Sequence, residues 1–125
     1  MPELAAKDHT LHYDTHGDPS DPTVLLVMGL GAQMTLWDVG FVEELVGRGF
    51  HVVRFDNRDV GLSSKTDAPP PNVLAMVMAA LSGQEVTGSA YLLSDMAADA
   101  VAVLDHLGVD RAHIVGASMG GMIVQ

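Results

Sequence analysis

Cysteine is absent from the 125 residues, which excludes a disulfide framework, a thiolate metal site and a cysteine nucleophile within them. Basic residues are scarce, with 6 Lys and Arg against 16 Asp and Glu and a formal charge of -10. A surface of that sign repels a phosphate backbone, so no nucleic-acid partner is expected and the acidity is read as serving solubility. Long apolar runs are missing too: Val24 to Met28, extended through Leu30, and Val73 to Leu81 fall far short of the ~20 residues of a membrane span. The N-terminus Met-Pro-Glu-Leu-Ala-Ala-Lys-Asp lacks a basic stretch followed by an apolar one. No signal peptide is read there, and a soluble cytoplasmic protein without membrane association is expected. There is no fixed-period repeat, and no low-complexity tract beyond Pro69-Pro70-Pro71.

What is present is a globular composition, 48% apolar, with strand and helix signals in alternation. Leu11 to Thr15 alternates in polarity and runs into the turn-forming cluster Gly17-Asp18-Pro19-Ser20-Asp21-Pro22, which reads as an edge hairpin or strand end. Thr23 to Met28 reads as a strand buried on both faces, stopped by Gly29-Leu30-Gly31. Trp37, Phe41 and Leu45, with Val42 and Val46 beside them, follow helical spacing up to Gly47 and Gly49. His51 to Phe55 is the next strand, with a polar loop over residues 56–63 at its C-terminal end and an irregular stretch after it. A short helix is read over Val73 to Leu81, and a connection over Ser82 to Ser89. Leu93, Met96, Ala97, Ala100, Val101, Leu104 and Leu107 recur at steps of three and four, predicting an amphipathic helix capped at Gly108. His113-Ile114-Val115 reads as a short buried strand, and the chain from Met119 is helix-compatible.

This alternation predicts an α/β architecture, a mostly parallel sheet with right-handed crossovers and helices on both faces. The functional site is then expected at the C-terminal ends of the strands. The chain reaches Gln125 inside a helical run with no glycine, proline or capping residue to end it. Residues 1–125 are therefore expected to be the N-terminal part of a single larger domain.

The chemistry concentrates in Gly116-Ala117-Ser118-Met119-Gly120. A strand turning sharply into a helix lifts one side chain clear of the sheet, and its neighbours two residues away must be small. Gly116 and Gly120 meet that demand, and Ser118 is the candidate nucleophile. A serine hydroxyl needs a general base, a histidine oriented by a carboxylate. All six histidines (His9, His12, His16, His51, His106 and His113) precede Ser118, and each is read as solvated or structurally hydrogen-bonded. Met28-Gly29-Leu30-Gly31, after the first buried strand, is the second element. Acyl transfer builds negative charge on the carbonyl oxygen, and backbone N–H donors stabilise it. The expected donors are Met119, after the nucleophile, and Leu30, with Gly29 and Gly31 permitting the approach. The acids of residues 56–63 are expected to pair structurally with Arg54 or Arg58. Gly29-Leu30-Gly31 lacks the third glycine of a dinucleotide loop, and no His and carboxylate spacing suggests a metal site. Neither a cofactor nor a metal is expected.

Taken jointly, Met28-Gly-Leu-Gly, residues 56–63, residues 95–105 and Val115-Gly-Ala-Ser-Met-Gly-Gly121 resemble bacterial α/β-hydrolases near the anthracycline methylesterases, from about residue 11 onward. That resemblance implies the α/β-hydrolase fold and a serine hydrolase acting on a small-molecule ester. It also implies a triad acid, a histidine and a helical lid following Gln125. Relatives often carry His before the oxyanion glycine, where this chain has Met28; a backbone donor makes that difference small. Dehalogenases and epoxide hydrolases of the family place Asp at the nucleophile, so Ser118 argues against both. Cofactor-free perhydrolases and carbon-carbon hydrolases keep the serine and stand as alternatives, as does a non-catalytic binding domain on the same fold. The sequence leaves the oligomeric state open.

Overall fold

The computed structural model describes residues 2–125. The elements run β1 (Glu3–Ala6), β2 (His9–His16), β3 (Thr23–Val27), α1 (Val39–Gly47), β4 (His51–Phe55), α2 (Val73–Leu81), α3 (Leu93–His106), β5 (Ala112–Gly116) and α4 (Met119–Ile123), with a 3-10 turn over Met34–Leu36. One five-stranded sheet has the order β1-β2-β4-β3-β5. β3 lies parallel to β4 and β5, while β1 and β2 join antiparallel on the other side. The architecture is α/β with a mixed sheet, its parallel strands β4, β3 and β5 on one side. β1 was not read from the sequence; its four residues alternate exposed and buried, but Glu and Ala carry little strand propensity.

All five residues of β3 are buried, and strand periodicity divides them between two cores. Leu25 and Val27 join Val53, Phe55, Leu11 and Tyr13 under α3 and α4. Val24 and Leu26 join Val52 and Val42 under α1, with Trp37, Leu45 and Val46 packed against them. Helices thus cover both faces of the sheet. Each such side chain contributes roughly 1.5–3 kcal/mol when fully buried. Asp38 caps α1 by accepting from the Gly40 amide at 2.8 Å, so that helix starts two residues after Trp37. Phe41, read as part of its inward stripe, is 42% exposed and stacks on Trp37 at 5.7 Å between ring centroids.

Two further readings are corrected. Val101 and Leu93 of the expected α3 stripe are 55% and 41% exposed, and the inward face is Met96, Asp99, Ala100 and Val103. Apolar spacing cannot reveal a carboxylate on the core face. Asp99 is tolerated there because Arg58 grips it through Nε at 2.7 Å and Nη2 at 2.8 Å, while His9 Nε2 donates to it at 3.0 Å. The strand at His113 to Val115 forms as expected but is not buried: Ile114 and Val115 are 45% and 39% exposed. β5 pairs with β3 alone among the described strands, which leaves its outer edge open.

A buried carboxylate removed from its guanidinium leaves an uncompensated charge, a loss of about 3–5 kcal/mol. Asp99→Ala is therefore expected to lower the unfolding free energy by about 3 kcal/mol in urea titration; a change of a few tenths would show that Arg58 finds equivalent solvation. Acid acts in the same direction elsewhere in the sheet. Burial pushes the Asp14 carboxyl up, but the bond and charge of Arg54, with His16 adding, hold it net below its ordinary 3.8. A depressed carboxyl contributes stability above its unfolded value and loses it as pH falls through the folded one. Burial also lowers His51 below 6.5, despite the opposing charges of Asp18 and Asp21, so its neutral form is favoured in the fold. Stability is expected to decline as pH drops below about 6 and more steeply below about 4, and Asp14→Asn should flatten the lower limb in thermal melts.

Candidate active site

β5 ends at Gly116 and α4 starts at Met119, so the chain reverses direction over two residues. Ser118 stands at that corner with φ 55 and ψ -123, a conformation that L-residues other than glycine rarely occupy. Strain of this kind costs of order 1–3 kcal/mol and persists only where the surroundings enforce it. Backbone contacts do so here. A Cβ on Gly116 would run into the carbonyl of Gly120 and stand 2.7 Å from the Gly121 nitrogen. A Cβ on Gly120 would run into the Val27 carbonyl and stand 2.9 Å from the Met28 oxygen. The two glycines let α4 lie against the ends of β5 and β3 at once. The Ala117 amide donates to Val27 O at 3.1 Å, extending the β3–β5 pairing into the corner.

The loop after β3 meets this corner directly. A Cβ at Gly29 would lie 3.0 Å from Ala117 O, 3.1 Å from Ser118 Cβ and 3.2 Å from the Met119 nitrogen. Gly29, Ser118 and Met119, 90 positions apart in the chain at their widest, are thus in contact. As the first residue of α4, Met119 has an amide without an intrahelical acceptor. Leu30 follows Gly29 with its side chain 83% exposed, and Gly31 takes φ 67. Ser118 itself is exposed. Gly29, Leu30, Gly31 and Met119 line one cavity of about 510 Å³, bounded otherwise by residues 57–60, Met76, Val86, Tyr91, Leu92, Leu93 and Met96 among others. Gly29 and Met119 thus lie against Ser118 and, with Leu30 and Gly31, line the cavity beside it.

The loop after β4 provides the remaining support, by a route the sequence did not disclose. Asp56 pairs with no arginine: Oδ1 accepts from the Met34 amide at 2.7 Å and Oδ2 from the Leu62 amide at 3.0 Å. Its carboxylate stitches together the segments that follow β3 and β4. Arg54 instead takes Asp14, its cross-strand partner, at 2.9 and 2.6 Å, and Arg58 takes Asp99. Asn57, 1% exposed, donates Nδ2 to Met28 O at 2.8 Å and so fixes the start of the Gly29 loop. Sequence reasoning passed over Asn57; its signal, a short amide immediately after a strand, is shared by any turn. Asp59 accepts from the Tyr91 hydroxyl at 2.7 Å. Burial first, then that bond, pushes the Tyr91 phenol up to about 12, so it remains a donor at neutral pH.

The histidines are engaged away from Ser118. His9 contacts Asp99 and Asp8, His16 contacts Asp14, and His51 meets Thr23 Oγ1 at 3.0 Å. His106 sits edge-on to Tyr13 and His113 edge-on to Phe50. His12 departs from the expectation: it is 1% exposed and neither ring nitrogen has a hydrogen-bond partner among the described residues. No group of three or more His, Asp or Glu placed to hold a metal is found among the described residues, and no helix there is long and apolar enough to cross a membrane.

Known proteins resemble this chain in sequence and fold. The chain is 38% identical over 117 residues to the rhodomycin D methylesterase DnrP of Streptomyces peucetius, covering 93% of this chain and 33% of that protein. It is 30% identical to a hydrolase from Pseudomonas aeruginosa of known crystal structure, with a TM-score of 0.74 over 98% of this chain and 38% of that one. The enol-lactonase from Burkholderia xenovorans is 27% identical, with a TM-score of 0.73 over 98% of this chain and 39% of that one. The chain spans about a third of the length of the curated relatives it matches. A family profile described as the alpha/beta hydrolase fold matches residues 22–125, and with the sheet order, the strained Ser118 corner and these relatives the chain belongs to the alpha/beta hydrolase fold family.

Proposed function

We propose that the full-length protein hydrolyses a small or medium carboxylic ester through an acyl-enzyme, with Ser118 as nucleophile. The observation that carries this reading is the strained, exposed Ser118 held in contact with the Gly29 loop, beside the unpaired first amide of α4. Ser118 Oγ adds to the ester carbonyl while its proton passes to a general base. The carbonyl oxygen becomes an oxyanion, accepted by the amides of Met119 and Leu30, each donor of this type being worth roughly 100 to 1000-fold in rate. The tetrahedral intermediate collapses, the C–O bond to the alcohol breaks, and the alcohol leaves with the proton. Water, deprotonated by the same base, then releases the carboxylic acid and restores the serine.

Five of the six histidines lie in other contacts and His12 is 1% exposed, so the reading assigns base and orienting carboxylate to residues outside 2–125. The ester, as opposed to another acyl compound, is supported by the methylesterase name of the 38% identical relative. Ester and water alone balance the reaction in atoms.

Ser118→Ala in the full-length protein is expected to lower kcat on p-nitrophenyl esters by about 10⁴-fold or more, and to abolish labelling by a fluorophosphonate. Esterase activity surviving that change sinks the reading. Gly29→Ala tests the apposition itself. Its methyl would press on Ala117 O, Ser118 Cβ and the Met119 nitrogen, and a shift of a few tenths of an ångström is expected to cut kcat about tenfold or more with little change in Tm. An unchanged kcat would detach the Gly29 loop from the chemistry.

A further inference from the structure

The apolar cavity beside the Ser118 corner has a neighbour. Arg58, Asp59 and Tyr91 line both it and a second, polar cavity of about 440 Å³ bounded otherwise by residues such as His9, Thr10 and Ser64. Leu30, Val60, Met76, Val86, Leu92 and Met119 give the first its apolar lining. The three shared residues are the place where the two could join.

They are built to stay closed. The Tyr91 hydroxyl donates to Asp59 Oδ2 at 2.7 Å, and the Arg58 guanidinium lies over the Tyr91 ring, 4.7 Å from its centroid. Arg58 is in turn forked onto Asp99, which is 4% exposed on the core face of α3. Asp59 is anchored from the far side by the Thr66 amide at 2.5 Å. The ring is therefore gripped at its face and at its tip, each grip ending in a different element. Both charges are used up in these contacts, so neither offers a free partner to a ligand in the apolar cavity.

We propose that Tyr91, clamped between Arg58 and Asp59, is the partition that closes the apolar cavity from the polar one and so determines which esters the site accepts. This proposal rests on the ester-hydrolase reading. The substrate class it names is an uncharged ester whose cavity-bound portion is apolar. Tyr91 is a specificity-determining residue, without a role in bond breaking.

The test compares kcat/KM for p-nitrophenyl butyrate, with a short acyl chain, and p-nitrophenyl decanoate, with a long one, in the full-length protein and its Tyr91 variants. Tyr91→Ala opens one cavity into the other and is expected to raise the decanoate-to-butyrate ratio about tenfold or more. Tyr91→Phe keeps the ring and is expected to hold the ratio within about threefold of the parent. Should circular dichroism show Tyr91→Ala unfolded, Tyr91→Leu carries the same expectation. A general loss of structure would depress both esters and leave their ratio alone. An unchanged ratio in a folded Ala or Leu variant overturns the partition, as does an equal rise in Tyr91→Phe. Activity that survives Ser118→Ala, or none on either ester in the unsubstituted protein, overturns the ester-hydrolase reading and this proposal with it.

Discussion

Backbone contact without side chains, where Gly120 rests on the carbonyls at the end of β3, is the constraint on which the rest of this structure depends. Only a chain with no Cβ at residues 116 and 120 lets α4 begin so close to the sheet, and only that closeness holds Ser118 at φ 55. The same contact brings the Met119 amide within reach of the Gly29 loop, so strain at the serine and convergence of these two segments have a single cause. The 1–3 kcal/mol of strain is set against the packing of Ile123 and Met119 on the α3 side of the sheet. Any larger residue at 120 would lose both at once.

Polar groups hold the loops where apolar packing cannot. The loop after β4 carries three buried groups that bond to backbone: Asp56 to Met34 and Leu62, Asn57 to Met28, and Ser63 to Asp56 and to His12 of β2. Such bonds contribute only about 0.5–1.5 kcal/mol each, somewhat more with a charged partner, but leaving one buried group unsatisfied costs more than making the bond returns. The loops are thus held by the penalty of moving. Asp99 extends this logic to α3, since its charge can be buried only while Arg58 stays in place, and Arg58 in place puts a cation over Tyr91.

Much of this was legible in the sequence because it rests on local periodicity. Buried β3 and β4, the 14-residue α3, and the two glycines flanking Ser118 each carry their own signal within a few residues. The corner could be read because close packing leaves a compositional mark, small residues at fixed spacing. What could not be read was partnership at a distance. Asp56, Asp59 and Asp99 look alike in sequence, yet one binds backbone amides, one a tyrosine and one an arginine 41 positions away. The arginine pairing expected for the loop acids failed for that reason: the cross-strand register hands Arg54 to Asp14, and α3 hands Arg58 to Asp99. Burial of β5 failed for another, since whether an apolar strand is interior or edge depends on what lies beside it.

Placing amide donors against an apolar cavity also has an energetic consequence. Two amides facing water exchange one set of hydrogen bonds for another and gain little from a developing oxyanion, whereas the same dipoles in a low dielectric act far more strongly. Ser118 is exposed and Leu30 is 83% exposed, so in the residues described water reaches both. On the ester reading, an apolar group filling the cavity of Leu30, Met76, Val86 and Met119 displaces that water and dries the amides it lies against. Binding energy from a part of the substrate that never reacts would then be expressed as stabilisation of the charge that forms when it does. A substrate too short to fill the cavity would lose rate as well as affinity, which ties the shape of the apolar wall to the strength of the donors beside it.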